Sequence, residues 1–182
     1  MKLSELETTR LRLRSFHESD IPQLLPLIGT REVAATTLRI PHPYREQDAR
    51  NFITAAQAEG SDPHFAIVVR EGDRLCGGIG LRMEPQHSRA ELGYWLGVPY
   101  LGFGYATEAA RAVVQYGFQQ LNLHRIFASH FEGNSPSANI LKKLGMLYEG
   151  CQRQHIRKWD RFLDSYLYGL LREEWLKRTL TH

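Results

Sequence analysis

Cysteine occurs only twice, at Cys76 and Cys151, far apart and without C-x-x-C spacing. That scarcity argues against a disulfide framework and fits a reducing compartment. The longest uninterrupted apolar run, FAIVV at 65–69, falls far short of the roughly 20 residues that a membrane-spanning helix needs. The opening MKLSELETTRLRLRSF alternates charge with leucine and has no apolar core of signal-peptide length. Basic residues are spread along the chain, and the formal net charge is a mild +3, so no nucleic-acid footprint is forecast. The eight histidines form neither an H-x-x-x-H pair nor a Cys/His cluster, so no metal is predicted. With no repeat, low-complexity tract or linker, the expectation is a soluble, cytoplasmic protein with no membrane or nucleic-acid partner.

What remains is an ordinary globular composition, 42% hydrophobic and 24% charged over 182 residues. That length supports one well-buried core better than two, so residues 1–182 read as a single domain. RLRLRSF alternates with period two and reads as a strand, and SDIPQLLPLIG as a short helix with an early proline and a closing glycine. In REQDARNFITAAQAEG, Ala49, Phe52, Ile53 and Ala56 form the stripe of an amphipathic helix. The intervening REVAATTLRIPHPY reads as irregular. FAIVV and LCGGIGLRM, joined by REGDR, read as a hairpin whose second strand is weakened, or opened to close approach, by Gly77, Gly78 and Gly80.

AELGYWLGV is a further strand, followed by a helix with Ala106, Ala109, Ala110, Val113, Val114, Gly117 and Leu121 on one face and Glu108, Arg111, Gln115 and Gln119 on the other. RIFASHF reads as a strand and NSPSANILKKLG as a helix with Ser135 as N-cap, Pro136 at its first position and Gly145 at its C-terminal cap. The remainder reads as two strands and a C-terminal tail. Mixed strands and helices in this order make an α/β or α+β fold.

Between that further strand and its helix lies YLGFGYATEA. Glycines let a backbone approach a ligand closely, and the N–H groups of a first helical turn favour an anion such as a pyrophosphate. A P-loop would require a lysine and a hydroxyl residue after its last glycine, and here Tyr105 follows Gly104. A dinucleotide fingerprint would require a third glycine or alanine and a later acid; Thr107 and the His124–Arg125 pair stand in those regions, which disfavours a nicotinamide enzyme. Taken alone, the motif also suits a plain strand-to-helix turn.

The succession LGYW, GYATEA, RIFASHF, N-x-x-S and KKLGM, from ETTRLRLRSF to the closing YLYGLLREEW, resembles the GNAT acetyltransferases, in particular the branch that acetylates ribosomal-protein N-termini. The resemblance implies a central, mostly antiparallel sheet of about seven strands flanked by helices, with acetyl-CoA as co-substrate. It implies that the glycine turn, Gly102, Phe103, Gly104, Tyr105, Ala106 and Thr107, holds the pyrophosphate, and that the preceding strand, through Trp95, Leu96 and Val98, pairs with the pantetheine arm. Leu101 departs from the usual Gln or Arg at the head of the turn; since backbone N–H groups make the family's main phosphate contacts, the departure is expected to be tolerated.

Acetyl transfer from a thioester to an amine requires a neutral nitrogen, a donor for the oxyanion and a proton for the departing thiolate. An α-amino group with pKa about 8 is roughly one tenth neutral at pH 7, whereas a lysine near 10.4 is neutral in fewer than about one molecule in a thousand. Glu91 resembles the family's base; its plain alternative is a strand glutamate paired with Arg82 or Arg89. The resemblance implies that main-chain N–H groups near Trp95 to Val98 serve the oxyanion. Many GNAT enzymes carry a tyrosine as proton donor where this chain has Leu141. The resemblance instead points to Ser137, at the N-x-x-S spacing from Asn134 whose residues contact the pantetheine and sulfur end of the cofactor in the ribosomal-type branch, its alternative being a second capping hydroxyl beside Ser135. Asn134 would contact pantetheine or act as a turn residue, and Lys142 and Lys143 either reach the cofactor's terminal phosphate or simply suit the helix dipole.

The implied activity is N-acetylation of a primary amine by direct attack in a ternary complex. The acceptor is a protein N-terminus or a small amine such as a polyamine or aminoglycoside. A non-catalytic acyl-CoA-binding module is the alternative. Oligomeric state is not legible.

Overall fold

The computed structural model describes residues 4–179. In chain order the elements are β1 (Leu6–Glu7), β2 (Leu11–Arg14), α1 (Ile21–Ile28), α2 (Arg31–Thr36), α3 (Glu46–Gln57), β3 (His64–Val69), β4 (Arg74–Glu84), β5 (Arg89–Leu96), α4 (Tyr105–Gln119), β6 (Arg125–Phe131), α5 (Ser135–Lys143), β7 (Leu147–Lys158), β8 (Arg161–Leu171) and α6 (Arg172–Thr179). The sheet has eight strands in the order β1-β2-β3-β4-β5-β6-β8-β7. It is mostly antiparallel, and β5 runs parallel to β6. The expected sheet of about seven strands gains the two-residue β1. The described residues form two compact units, residues 4–81 with 93–113 and residues 82–92 with 114–179.

In the first unit the period-two pattern of β2 buries Leu11 and Leu13, leaves Arg12 partly exposed, and covers all but 13% of the Arg14 side chain. β2 pairs antiparallel with β3, whose residues 65–69 are all buried. Leu24 and Ile28 of α1 and Ala49 and Ile53 of α3 join Phe16, Val68 and Leu75 in one apolar cluster, as the α3 stripe anticipates. Beside β2, Arg14 grips Asp20, the residue before α1, through two 2.8 Å hydrogen bonds. The 31–44 segment departs from its irregular reading: Thr30 Oγ1 accepts the Val33 N–H at 3.4 Å and opens α2, which buries Val33 and Ala34. A six-residue helix is too short to leave a periodic stripe in the sequence.

In the second unit β6 pairs with β8 from Arg125↔Leu171 to Phe131↔Ser165, and β7 with β8 in a hairpin. Beyond them the expected C-terminal tail is helical. The Glu174 carboxylate accepts the Leu171 N–H at 2.9 Å, acids open α6, Lys177 and Arg178 close it, and the Trp175 ring packs 5.4 Å from that of Phe118. Cys76 is buried and Cys151 exposed, both as free thiols. Among the described residues no helix is long and apolar enough to cross a membrane, and no group of three His, Cys, Asp or Glu side chains is placed to hold a metal ion.

Candidate active site

The glycine turn belongs wholly to the first unit. β5 ends where the Gly97 N–H bonds to the Cys76 carbonyl at 2.9 Å, and a short 3-10 turn, Val98–Tyr100, leads into the segment. Gly102 and Gly104 take φ of +84° and +81°, left-handed conformations that side chains strongly disfavour. Their neighbours Leu101 and Phe103 are more than half exposed, at 55% and 59%, so the segment faces outward and is not packed under protein. The hydrogen bond that opens α4 runs from the Glu108 N–H to the Gly104 carbonyl at 3.1 Å. The N–H groups of Tyr105, Ala106 and Thr107 therefore precede the intrahelical ladder, at the positive end of a 15-residue helix. Main-chain donors at such an end suit a phosphate or diphosphate.

Glu108, expected on the wet face of α4, instead ties the helix start to the region before β2. Its carboxylate accepts from Thr8 Oγ1 at 2.6 Å, the Arg10 N–H at 2.8 Å and Arg10 Nε at 2.7 Å, and its side chain is 18% exposed. Burial pushes this carboxyl up, but those hydrogen bonds and the charge of Arg10 outweigh it and hold the group below the usual carboxylate range. No local sequence signal marks this contact, because Arg10 and Glu108 stand 98 residues apart.

On β5, the Trp95 indole packs against the apolar cluster of the first unit, over Gly78, and Leu96 is buried. Val98 is exposed. Trp95 and Leu96 are thus core side chains, and a cofactor contact from them would be a main-chain one. Within the turn Phe103 stacks on Tyr105, Ala106 is buried, and Thr107 is half-buried. The glycines of β4 likewise admit the chain's own atoms: the space beside Gly77 and Gly78 is taken by Trp95 and Leu96.

Glu91, Asn134 and Ser137 belong to the second unit. Glu91 Oε2 accepts from Arg82 Nε at 3.0 Å and Nη2 at 2.7 Å, while Arg89 turns to Glu84. Of the two pairing partners left open by the sequence, Arg82 is the one observed. Asn134, and not Ser135, caps α5: its Oδ1 accepts the Ser137 N–H at 3.2 Å, and Ser135 and Pro136 take the first two helical positions. Gly145 then follows the helix end at φ +82°. Ser137 is half-buried in the first turn, Leu141 is wholly buried, and Lys142 and Lys143 lie exposed in the last turn.

A family model described as an acetyltransferase (GNAT) domain matches residues 10–147, well over half of the chain. The protein belongs to the GNAT acetyltransferases. An uncharacterized N-acetyltransferase of Bacillus licheniformis, p20, is 34% identical over 176 residues, covering 95% of this chain and 99% of that protein. The ribosomal-protein-serine acetyltransferase of Escherichia coli is 32% identical over 104 residues, 57% of this chain and 58% of its own. Among solved structures, a RimL ribosomal L7/L12 acetyltransferase in complex with coenzyme A shares the fold, with a TM-score of 0.84 at 18% identity over 94% of this chain and 99% of that one. The chain is accordingly a GNAT-type acetyltransferase enzyme, and the matched span runs from Arg10 through Glu91, the turn, Asn134 and Ser137 to the start of β7.

Proposed function

We propose that this GNAT enzyme takes its acetyl group from acetyl-CoA and delivers it to a primary amine, with protein N-termini as the acceptor class. The observation that carries the reading is the outward-facing turn, in which two left-handed glycines lead into a helix start with its N–H groups ahead of the ladder. A side chain placed on Gly102 would meet nothing within 4 Å, so the surface beside the turn is open to a ligand. A diphosphate fits this donor set. The main chain from Gly102 to Thr107 would hold it, and the backbone from Trp95 to Val98 would pair with the pantetheine arm.

Acetyl-CoA supplies the acyl group as an activated thioester. For its part the chain must remove one proton from the amine and return one to the departing sulfur. Glu91, directly or through a water, takes the first and releases it to solvent; the Ser137 hydroxyl passes the second to the sulfur and is itself reprotonated from solvent. The E. coli relative's action on a ribosomal protein, and the larger neutral fraction of an α-amino group, favour an N-terminal acceptor over lysine.

The test is an assay of thiol release from acetyl-CoA against peptides with free N-termini, polyamines and aminoglycosides, run with wild type, Glu91→Gln and Ser137→Ala. Turnover on peptides that drops in both variants supports the reading. Unchanged turnover in both removes the assigned roles, and turnover confined to small amines replaces the acceptor class.

A further inference from the structure

We infer that Arg10 is a positioning residue for the coenzyme-binding turn, an inference that rests on reading the turn as the diphosphate site. Four contacts from this one side chain converge on the segment and the helix start that follows it. Nη1 donates to the Phe103 carbonyl at 2.9 Å, Nε and Nη2 each reach Glu108 Oε2 at 2.7 Å, and the guanidinium lies 4.9 Å from the centre of the Tyr105 ring. Nη2 also stands 3.5 Å from where a side chain on Gly104 would begin.

Two physical consequences follow. In a trans peptide the C=O and the following N–H point in opposite directions, so fixing the Phe103 carbonyl on Arg10 aims the Gly104 N–H away from the guanidinium. A left-handed glycine on each side of Phe103 leaves that peptide free to rotate otherwise. The second consequence is electrostatic. Glu108 sits in the first turn of α4, where its negative charge would repel a diphosphate at the same helix end. The fork of Arg10 neutralises it, and the Thr8 hydroxyl and the Arg10 N–H keep the carboxylate turned toward β2. Arg10 thus acts through the backbone it orients and the charge it cancels, without touching substrate itself.

The experiment is titration calorimetry of coenzyme A with wild type, Arg10→Ala, Arg10→Lys and Arg10→Ala/Glu108→Gln, beside steady-state kinetics and urea unfolding of each, all at a temperature where each is folded. Arg10→Ala should raise Kd for coenzyme A and KM for acetyl-CoA about tenfold, with kcat at saturation changed less than about twofold. Arg10→Lys keeps the charge and loses the fork, and should fall between. Removing the carboxylate in the double variant should recover part of the lost affinity. Coenzyme A affinity equal to wild type in folded Arg10→Ala or Arg10→Lys, whatever the loss of stability, overturns the positioning role. Wild type that binds no coenzyme A overturns the diphosphate reading itself, and the inference with it.

Discussion

The carbonyl oxygen of Trp95 stands 2.3 Å from the point where a side chain on Gly77 would begin, and Leu96 Cα stands 3.1 Å from it. β4 and β5 approach this closely only because position 77 carries no Cβ. Gly77→Ala must push one backbone away from another, and we expect a loss of about 3 kcal/mol or more in urea unfolding. Gly169 gives the contrast. There a Cβ would meet the tips of Glu149 and Arg125, which bridge from β7 to β6 across β8. Flexible side-chain ends can move aside, so Gly169→Ala should cost only the partly exposed ion pair, about 1 kcal/mol. Equal costs at the two sites would contradict this account.

Gly104 raises a different constraint, since a side chain there has room but not the right backbone. At φ +81° an alanine is strained by roughly 1–2 kcal/mol, and the turn relieves the strain by rotating out of its left-handed state. Gly104→Ala is expected to keep the fold, by circular dichroism, while weakening coenzyme A binding at least about tenfold in calorimetry. Full affinity in the folded variant would mean that the main-chain conformation does not build the site.

Asn134 carries two assignments that substitution can separate. As N-cap of α5 its Oδ1 is already engaged by the Ser137 N–H. Asn134→Ala should cost about 1 kcal/mol of stability, whereas Asn134→Ser retains a capping oxygen and should be nearly neutral. If the amide also contacts pantetheine, Asn134→Ser will still raise KM for acetyl-CoA. A serine variant indistinguishable from wild type in both readouts would leave capping as the residue's whole role.

The residues that the sequence made legible are those whose partners lie close along the chain. Alternation in β2, the α3 stripe and the small-residue face of α4 each follow from a local period: Leu11 and Leu13, Ala49 and Ile53, and Ala106, Ala109, Ala110, Val113, Val114 and Gly117 are buried as read, whereas Phe52 and Ala56 stay partly exposed and Leu121 falls beyond the end of α4. The α5 cap shifted by one because Asn134 and Ser135 are both good caps, and only geometry decides which oxygen meets the Ser137 N–H. α2 and α6 escaped because the first is short and the second presents Trp175 to Phe118 from a largely polar surface. Periodicity said nothing of Arg10 holding Phe103 and Glu108, or of which arginine Glu91 would meet, since such pairings depend on how distant strands and helices come together. The glycine turn could be read as an anion site from its type, yet its outward exposure could not.

Acid should unlock the Arg14–Asp20 pair. Asp20 is 3% exposed, accepts both Arg14 bonds and also takes the His17 N–H at 2.9 Å. Burial pushes its carboxyl up, but the hydrogen bonds from Arg14 and His17 and the charge of Arg14 prevail and set it below the ordinary carboxylate value. A depressed folded pKa means that the unfolded chain takes up the proton first as pH falls. The pair's contribution is therefore fully present above the unfolded value of about 3.9 and fades as pH drops through the folded one. Asp20→Asn leaves the Arg14 charge buried without its partner and should cost about 3–5 kcal/mol at pH 7. Urea unfolding of wild type and variant from pH 2 to pH 7 checks both statements, because subtracting the variant cancels the titration of Glu108, Glu149 and the other carboxylates. The difference should hold level above about pH 5 and shrink below about pH 4. A difference that stays constant to pH 2, or that widens on acidification, would show that the Asp20 charge is not what secures α1 to β2.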